Sequence, residues 1–138
     1  MIIALENIRS LYNVGSIFRT ISFFGFKKVL LVGYSGRKAA GIDELHDKVK
    51  KTALGAEKDL DIKFLASQIQ LIKFAKNNKL KLVAIEQAKK SVSIENWQPE
   101  KNSVLVLGNE LQGCSLKVLR AAEEIVEIPR RGNKGSLN

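Results

Sequence analysis

The sequence has one cysteine, one histidine and no apolar run long enough to cross a membrane. A single cysteine, Cys114, excludes an internal disulfide, so we expect a protein of the reducing cytoplasm. Cys114 precedes a predicted helix, so two roles are open to it: a small core residue or a reactive thiol. His46 and Cys114 lack the spacing of a zinc site, and one histidine argues against a histidine general base. We therefore expect no metal and no membrane segment, with His46 at the surface.

Acidic residues are the scarcer charged type. Asp and Glu number 14 against 23 Lys and Arg, which gives a net charge of +9. Such an excess favours polyanionic partners through phosphate contacts and counterion release. The alternative is a lysine-rich soluble protein without a nucleic-acid partner. With 138 residues, 45% of them hydrophobic, the chain is expected to be one domain, 1–138, with a real core.

Short apolar runs alternate with segments of helical periodicity, which predicts an α/β fold with a mostly parallel sheet flanked by helices. Asn13 is positioned to cap the first helix, and Ser67 and Gln70 have the form of a capping box. Gly25 is expected to end the first helix. Residues 33–58 are less regular and read as mostly loop with a short helix or two. The predicted strands are 2–5, 29–32, 82–85, 104–107 and 125–128, and the predicted helices are 13–24, 67–78 and 115–123.

Three loops that contain glycine and asparagine are the most informative part of the sequence. They occupy 13–20, 107–113 and 128–138, and each follows an apolar run. Glycines let a backbone approach a ligand closely, and Asn, Ser, Glu and Arg supply the hydrogen bonds that position it. Three such loops in one small domain predict one composite site at the ends of several strands.

Common nucleotide and hydrolase motifs are absent. Lys134, Gly135 and Ser136 stand in the wrong order for a P-loop, and Gly108 and Gly113 lack the third glycine of a dinucleotide fingerprint. There is no Gly-x-Ser-x-Gly nucleophile elbow. The ordinary ways of holding a nucleotide cofactor are therefore not visible.

The three loops together resemble the SpoU/TrmH family of RNA ribose methyltransferases, within the SPOUT superfamily, over the whole chain. The first matching motif is Asn13, Gly15, Arg19 and Thr20. The second runs from Leu105 through Gly108, Asn109 and Glu110 to Gly113, and the third comprises Ile128, Pro129, Gly132, Ser136, Leu137 and Asn138. Residues 51–57 are also similar to a loop of family members.

The resemblance implies a C-terminal trefoil knot, an S-adenosylmethionine site in that knot and a homodimer. Knots are otherwise nearly absent from proteins. It also implies transfer of a methyl group to a ribose 2′-hydroxyl of RNA, with tRNA favoured over rRNA because the domain is small. The cofactor-binding residues implied by the resemblance are Leu107, Gly108, Asn109, Gly113, Ile128, Pro129, Ser136 and Leu137. The implied catalytic residues are Arg19, Asn13, Glu110, Ser136 and Asn138, and the RNA-binding residues are Arg19, Lys51, Arg130 and Arg131.

The chemistry of these side chains limits their roles. A guanidinium stays protonated in proteins, so Arg19 cannot be the base, but it can bind a phosphate or stabilise a developing alkoxide. The alternative for Arg19 is an ion pair within its own helix. Glu110 is the one acidic residue in the motifs; it either orients Arg19 across a dimer interface or accepts the proton. Arg130 and Arg131 face either RNA phosphate or solvent.

Two departures from the family pattern bear on function. The chain stops at Asn138, where family members continue into a C-terminal helix that completes the knot, so the knot is expected to be incomplete. No separate RNA-binding domain precedes the three motifs, so RNA contact is expected from this domain and its dimer mate. The rival hypothesis is a non-catalytic RNA-binding or assembly protein that retains the fold. A third is a base methyltransferase.

Overall fold

Strands and helices alternate along residues 1–132, which are the residues that this computed structural model describes. The strands are β1 (Ile2–Glu6), β2 (Lys28–Val32), β3 (Asp61–Leu65), β4 (Lys81–Ile85), β5 (Val92–Ser93), β6 (Ser103–Leu107) and β7 (Glu124–Glu127). The helices are α1 (Leu11–Phe23), α2 (Asp47–Ala53), α3 (Gln68–Asn77) and α4 (Leu116–Ala121), with one turn of 3-10 helix at Ala56–Asp59.

The described strands form one parallel sheet in the order β3-β2-β1-β6-β4-β7-β5. Leu107 at the end of β6 lies opposite Leu5 of β1 and Ile85 of β4, and Ile85 lies opposite Val126 of β7. The carboxyl ends of these four central strands are therefore level with one another. The loops that follow them meet at one edge of the sheet, where ligands bind in open α/β folds.

Both faces of the sheet are covered, as continuous apolar strands require. On one face Phe18 and Val14 of α1 and Val49 of α2 pack with strand residues such as Leu5 and Leu31. On the other face, side chains of α3 and α4 pack against the opposite side of the same strands; they include Leu71, Ala75 and Val118. No helix in residues 1–132 combines the length and the apolar character needed to cross a bilayer.

The predicted α/β class and parallel sheet are confirmed, and so are the five predicted strands and three predicted helices, within a few residues at their ends. Two strands were missed. β3 lies at an edge of the sheet and alternates exposed with half-buried residues, so it has no apolar run, and β5 is two residues long. The trefoil knot stays a prediction, because it depends on a C-terminal segment of which residues 133–138 lie outside the described part of the chain.

The prediction that Asn13 caps α1 is wrong. The helix begins at Leu11, and Ser10 is its N-cap, with the Ser10 hydroxyl accepting a hydrogen bond from the Asn13 backbone N–H at 3.2 Å. Asn13 thus stands inside the first turn, where its side-chain amide donates to Glu110. The predicted helix 67–78 does begin at Ser67, which caps α3 and accepts from the backbone N–H of Gln70. The capping box is incomplete, because the Gln70 side chain accepts from the backbone N–H of Ala66 and not from that of Ser67.

Candidate functional site

A cleft of about 630 Å³ lies at the carboxyl edge of the sheet, between one side of α1 and the loops that follow β4, β6 and β7. Its size is within the usual range for small-molecule sites, and its lining combines apolar side chains with polar groups. The lining residues are Ile8, Asn13, Ser16, Ile17, Thr20, Ile85, Glu86, Gln87, Leu107, Gly108, Asn109, Glu110, Leu111, Gln112, Gly113 and Ile128.

The loop after β6 is held in shape by Asn109, which is 7% exposed. Its amide nitrogen donates to the Asn7 carbonyl at 2.8 Å and to the Tyr34 hydroxyl at 3.0 Å. Its amide oxygen accepts from the backbone N–H groups of Leu111 and Gln112 at 2.9 and 3.0 Å. The Asn109 side chain is therefore fully used within the fold, and it organises the loop backbone that lines the cleft.

Glycine is required at both ends of this loop. Asn109 and Gly113 exchange two backbone hydrogen bonds, of 3.0 and 2.8 Å, so the loop closes on itself. A Cβ atom at Gly108 would overlap the backbone of Gly113 and Cys114. Gly113 has a φ of +69°, which a residue with a side chain adopts with strain.

Two carboxylates hold the far end of the loop. Glu86, which follows β4, accepts hydrogen bonds from the backbone N–H groups of Cys114 at 2.9 Å and Gln87 at 3.0 Å. Glu6, at the end of β1 and 1% exposed, accepts from the backbone N–H of Ser115 at 3.1 Å. Burial, with the nearby Glu6 and Glu86 carboxylates, raises the pKa of the Cys114 thiol to about 12. The structure thus favours a core residue over a reactive thiol at Cys114.

Glu110 binds the beginning of α1. Its carboxylate accepts from the backbone N–H groups of Arg9 at 2.9 Å and Ser10 at 3.0 Å, and from the Asn13 side-chain amide at 3.1 Å. Burial alone would raise the pKa of Glu110, but these hydrogen bonds outweigh it, so the pKa lies below the ordinary carboxyl value. A carboxylate with a lowered pKa is a weak base. Within residues 1–132 Glu110 bonds the backbone just before α1 and the Asn13 side chain, and not Arg19. Its orienting and proton-accepting roles stay predictions.

Arg19 is exposed on α1, next along the helix to Thr20, which lines the cleft. Within residues 1–132 its guanidinium makes no hydrogen bond or ion pair, so the alternative of a pair within its own helix has no support there. Arg19 itself is not among the residues that line the cleft, and its exposed guanidinium has donors available to a ligand.

The structure brings most of the predicted cofactor residues together. Leu107, Gly108, Asn109, Gly113 and Ile128 all line the cleft, as do Asn13 and Glu110, whereas Pro129 is half-buried and is not in the lining. Ser136, Leu137 and Asn138 lie outside the described residues. Of the predicted RNA contacts, Lys51, Arg130 and Arg131 are exposed, and Arg131 pairs with Glu95 at 2.6 Å.

The wall formed by the segment after β4 was not predicted from the sequence. Ile85 ends the predicted strand that is β4, which pairs with β6, and Glu86 and Gln87 follow it. The sequence did contain evidence for this wall, because neighbouring parallel strands end at the same edge of a sheet and the segments after them lie together. The predictions instead concentrated on loops with glycine, and this segment has none. In the described part of the chain no three His, Cys, Asp or Glu side chains are grouped so as to hold a metal ion.

Comparison with known proteins agrees with this geometry. The family model described as the SpoU rRNA Methylase family matches residues 1–138. A tRNA (guanosine(18)-2′-O)-methyltransferase of Aquifex aeolicus is 28% identical over all 138 residues, which span 62% of that relative. An uncharacterized tRNA/rRNA methyltransferase of Mycobacterium ulcerans is 25% identical, and the chain spans 42% of it.

Solved structures match the fold closely. The A. aeolicus TrmH/SpoU tRNA modifying enzyme superposes with a TM-score of 0.83 at 28% identity, over 99% of this chain and 66% of that one. An AdoMet-bound rRNA methyltransferase from Sinorhizobium meliloti gives a TM-score of 0.84 at 25% identity, over 99% of this chain and 49% of that one. Since the family model covers every residue, this chain belongs to the SpoU rRNA methylase family.

Proposed function

We propose that this chain binds S-adenosylmethionine in the cleft and transfers its methyl group to a ribose 2′-hydroxyl of RNA, with tRNA favoured over rRNA. The observation that carries the proposal is the meeting, in one cleft, of the loops of two motifs with α1, the helix that also carries Arg19. The A. aeolicus relative, whose name gives a tRNA 2′-O-methyltransferase, supports the substrate. The AdoMet-bound S. meliloti neighbour supports the cofactor.

The cleft fits S-adenosylmethionine in size and in lining. Ile8, Ile17, Leu107 and Ile128 supply an apolar surface for an adenine ring, and the tight turn from Gly108 to Gly113 supplies backbone groups. When bound, this cofactor supplies an electrophilic methyl group on a sulfonium. We assign cofactor binding to Leu107, Gly108, Asn109, Gly113 and Ile128, and extend it to Pro129, Ser136 and Leu137 as predictions.

In this proposal Arg19 acts on the RNA. Its guanidinium suits bidentate contact with a phosphate, whereas the methyl donor already carries a positive charge that would repel it. Arg19 would orient the nucleotide and stabilise negative charge that develops on the ribose oxygen as its proton leaves. Asn13 and Glu110 hold the start of the helix that carries Arg19. Ser136 and Asn138 are proposed to bind the ribose, the cofactor carboxylate or a neighbouring loop.

Labelled S-adenosylmethionine, incubated with separate tRNA and rRNA pools, tests the reaction, and digestion then identifies the methylated nucleoside. We expect label on ribose. Label on a base would support the base-methyltransferase hypothesis, and RNA binding without transfer would support the non-catalytic hypothesis.

Substitution of Arg19 tests its role. Arg19→Ala should lower methyl transfer by about 10²-fold or more, because the lost interaction belongs mainly to the transition state, yet leave S-adenosylhomocysteine affinity within a few-fold. Arg19→Lys should restore little, since an ammonium lacks the planar fork. Arg120→Ala, at an exposed arginine of α4, is the matched control for charge. Near-normal turnover in the Arg19→Ala protein would refute the role.

We also propose that two copies of the chain act as a homodimer that binds RNA jointly. Tyr12 at the start of α1 and Phe23 and Phe24 at its end are exposed, with the two Phe rings 5.3 Å apart. Exposed apolar surface of this kind is typical of protein interfaces. Two protomers would also double the phosphate contacts of a chain with net charge +9. Sedimentation should show a dimer, and a monomer that still methylates RNA would contradict this.

A further inference from the structure

We propose that Glu86 makes the cleft prefer the positively charged S-adenosylmethionine over the neutral product S-adenosylhomocysteine. This inference rests on the proposed function, because it assumes that the cleft is the cofactor site. It assigns Glu86 a role as a specificity-determining residue on the cofactor side of the reaction.

The first observation is the sign of the charges in the cleft. Among the described lining residues the charged side chains are Glu86 and Glu110, and none is Lys or Arg. This is unexpected in a chain where 23 basic residues outnumber 14 acidic ones. The cleft is therefore a locally acidic site on a basic protein, and such a site attracts a cation.

The two carboxylates are engaged differently. Glu110 accepts three hydrogen bonds from the first turn of α1 and the residues before it. Glu86 accepts two, one on each oxygen, from the Cys114 and Gln87 backbone N–H groups. An ionised carboxylate has about four acceptor positions, so Glu86 keeps acceptor capacity that its partners within residues 1–132 do not use.

Glu86 is also fixed in place. Its two backbone donors come from different segments, one next to it in the chain and one beyond the loop after β6. Gly113 packs directly against the carboxylate, and a Cβ at that position would overlap it. The missing side chain at Gly113 thus leaves the Glu86 carboxylate room at the cleft wall, and the two hydrogen bonds fix its orientation.

Charge is what the reaction changes in the cofactor. In methyl transfer the C–S bond breaks, its electron pair stays on sulfur, and the carbon bonds the ribose oxygen, whose proton leaves to an acceptor. The sulfonium charge is lost, and S-adenosylhomocysteine leaves as a neutral thioether. A fixed carboxylate in the wall therefore binds the substrate form more strongly than the product form. Removal of a charge several ångströms away, at the dielectric of a protein surface, changes affinity on the order of tenfold.

Titration calorimetry of both ligands against matched variants tests this. Glu86→Gln keeps the shape of the side chain without its charge, and should weaken S-adenosylmethionine binding by about tenfold and S-adenosylhomocysteine binding by less than about threefold. Glu86→Asp keeps the charge on a shorter stem, so both affinities should fall while their ratio stays near that of the wild type. Glu100→Gln is the control, because Glu100 pairs with Lys81 at the other end of β4, about 16 Å of strand away.

The outcomes separate this inference from the function on which it rests. An equal loss of affinity for both ligands in the Glu86→Gln protein would show that Glu86 only supports the loop, and would overturn the inference while the cofactor site stands. Failure of the wild type to bind either ligand would overturn the proposed function and this inference with it.

Discussion

Replacement of Gly15 by alanine tests whether the glycine of the first motif serves packing. Gly15 lies inside α1, where α1 crosses α2. A Cβ atom at Gly15 would lie 2.7 Å from the Val49 carbonyl oxygen, 2.7 Å from the Thr52 Cβ and 2.9 Å from the Ala53 backbone nitrogen. None of these three atoms can rotate away, because two belong to backbone and the third is attached to it. The two helices must move apart to admit the methyl group.

Two opposing effects decide whether Gly15→Ala stabilises or destabilises the fold. Alanine is favoured over glycine inside a helix by about 1 kcal/mol. Overpacking of a tight contact typically costs about 1–3 kcal/mol, and contact with backbone places this site toward the upper end. We therefore expect Gly15→Ala to reduce the free energy of unfolding by about 1–2 kcal/mol, net of the helix gain. For a domain of this size that is a fall in melting temperature of about 3–8 °C.

Urea and thermal unfolding followed by circular dichroism measure this effect. Ser16→Ala is the control, since Ser16 is the next residue of α1 and is exposed, and it should change stability by no more than about 0.5 kcal/mol. Affinity for S-adenosylhomocysteine should survive in the Gly15→Ala protein below its unfolding temperature. A variant as stable as the wild type, or more so, would refute the packing argument. Normal stability with lost binding would point to a ligand role.

Two further predictions follow from the ionisable groups. The pKa of Glu110 in the fold lies below its ordinary value of 4.5, so its stabilising contribution should be complete above about pH 4.5 and disappear as pH falls through the lower folded value. Urea unfolding of wild type and Glu110→Gln should therefore differ more at pH 7 than at pH 3, and a constant difference would count against this. The pKa of Cys114 is raised to about 12, so at pH 8 its thiolate fraction is about 10³-fold lower than that of an exposed thiol. Iodoacetamide should accordingly label Cys114 in urea but scarcely in the folded protein, and equal rates would contradict the assignment.

The residues that the sequence predicted well are those whose role depends on local pattern. Apolar runs marked the five central or strongly buried strands, and Ser67 marked the start of α3, because burial and capping leave direct traces in sequence. β3 left no such trace, since its exposed Asp61 and Lys63 alternate with half-buried residues at the sheet edge. Local rules allow either Ser10 or Asn13 as the N-cap of α1, and the structure uses Ser10. The contact of the Asn13 side chain with Glu110, about a hundred positions away, is in no local rule.

In the candidate site too, sequence pattern marks residues whose long-range contacts only the structure shows. This difference affects how substitutions should be interpreted. Asn109 and Glu110 belong to a motif that sequence alone marks as functional, yet their side chains hold backbone groups within the fold. Arg19 is exposed and makes no such contact in the described chain. Loss of activity in Asn109→Ala or Glu110→Ala would therefore not identify a catalytic residue, because a displaced loop or helix would have the same effect. Loss of activity in Arg19→Ala with unchanged stability and unchanged cofactor affinity has no such structural explanation, so that comparison separates chemistry from support.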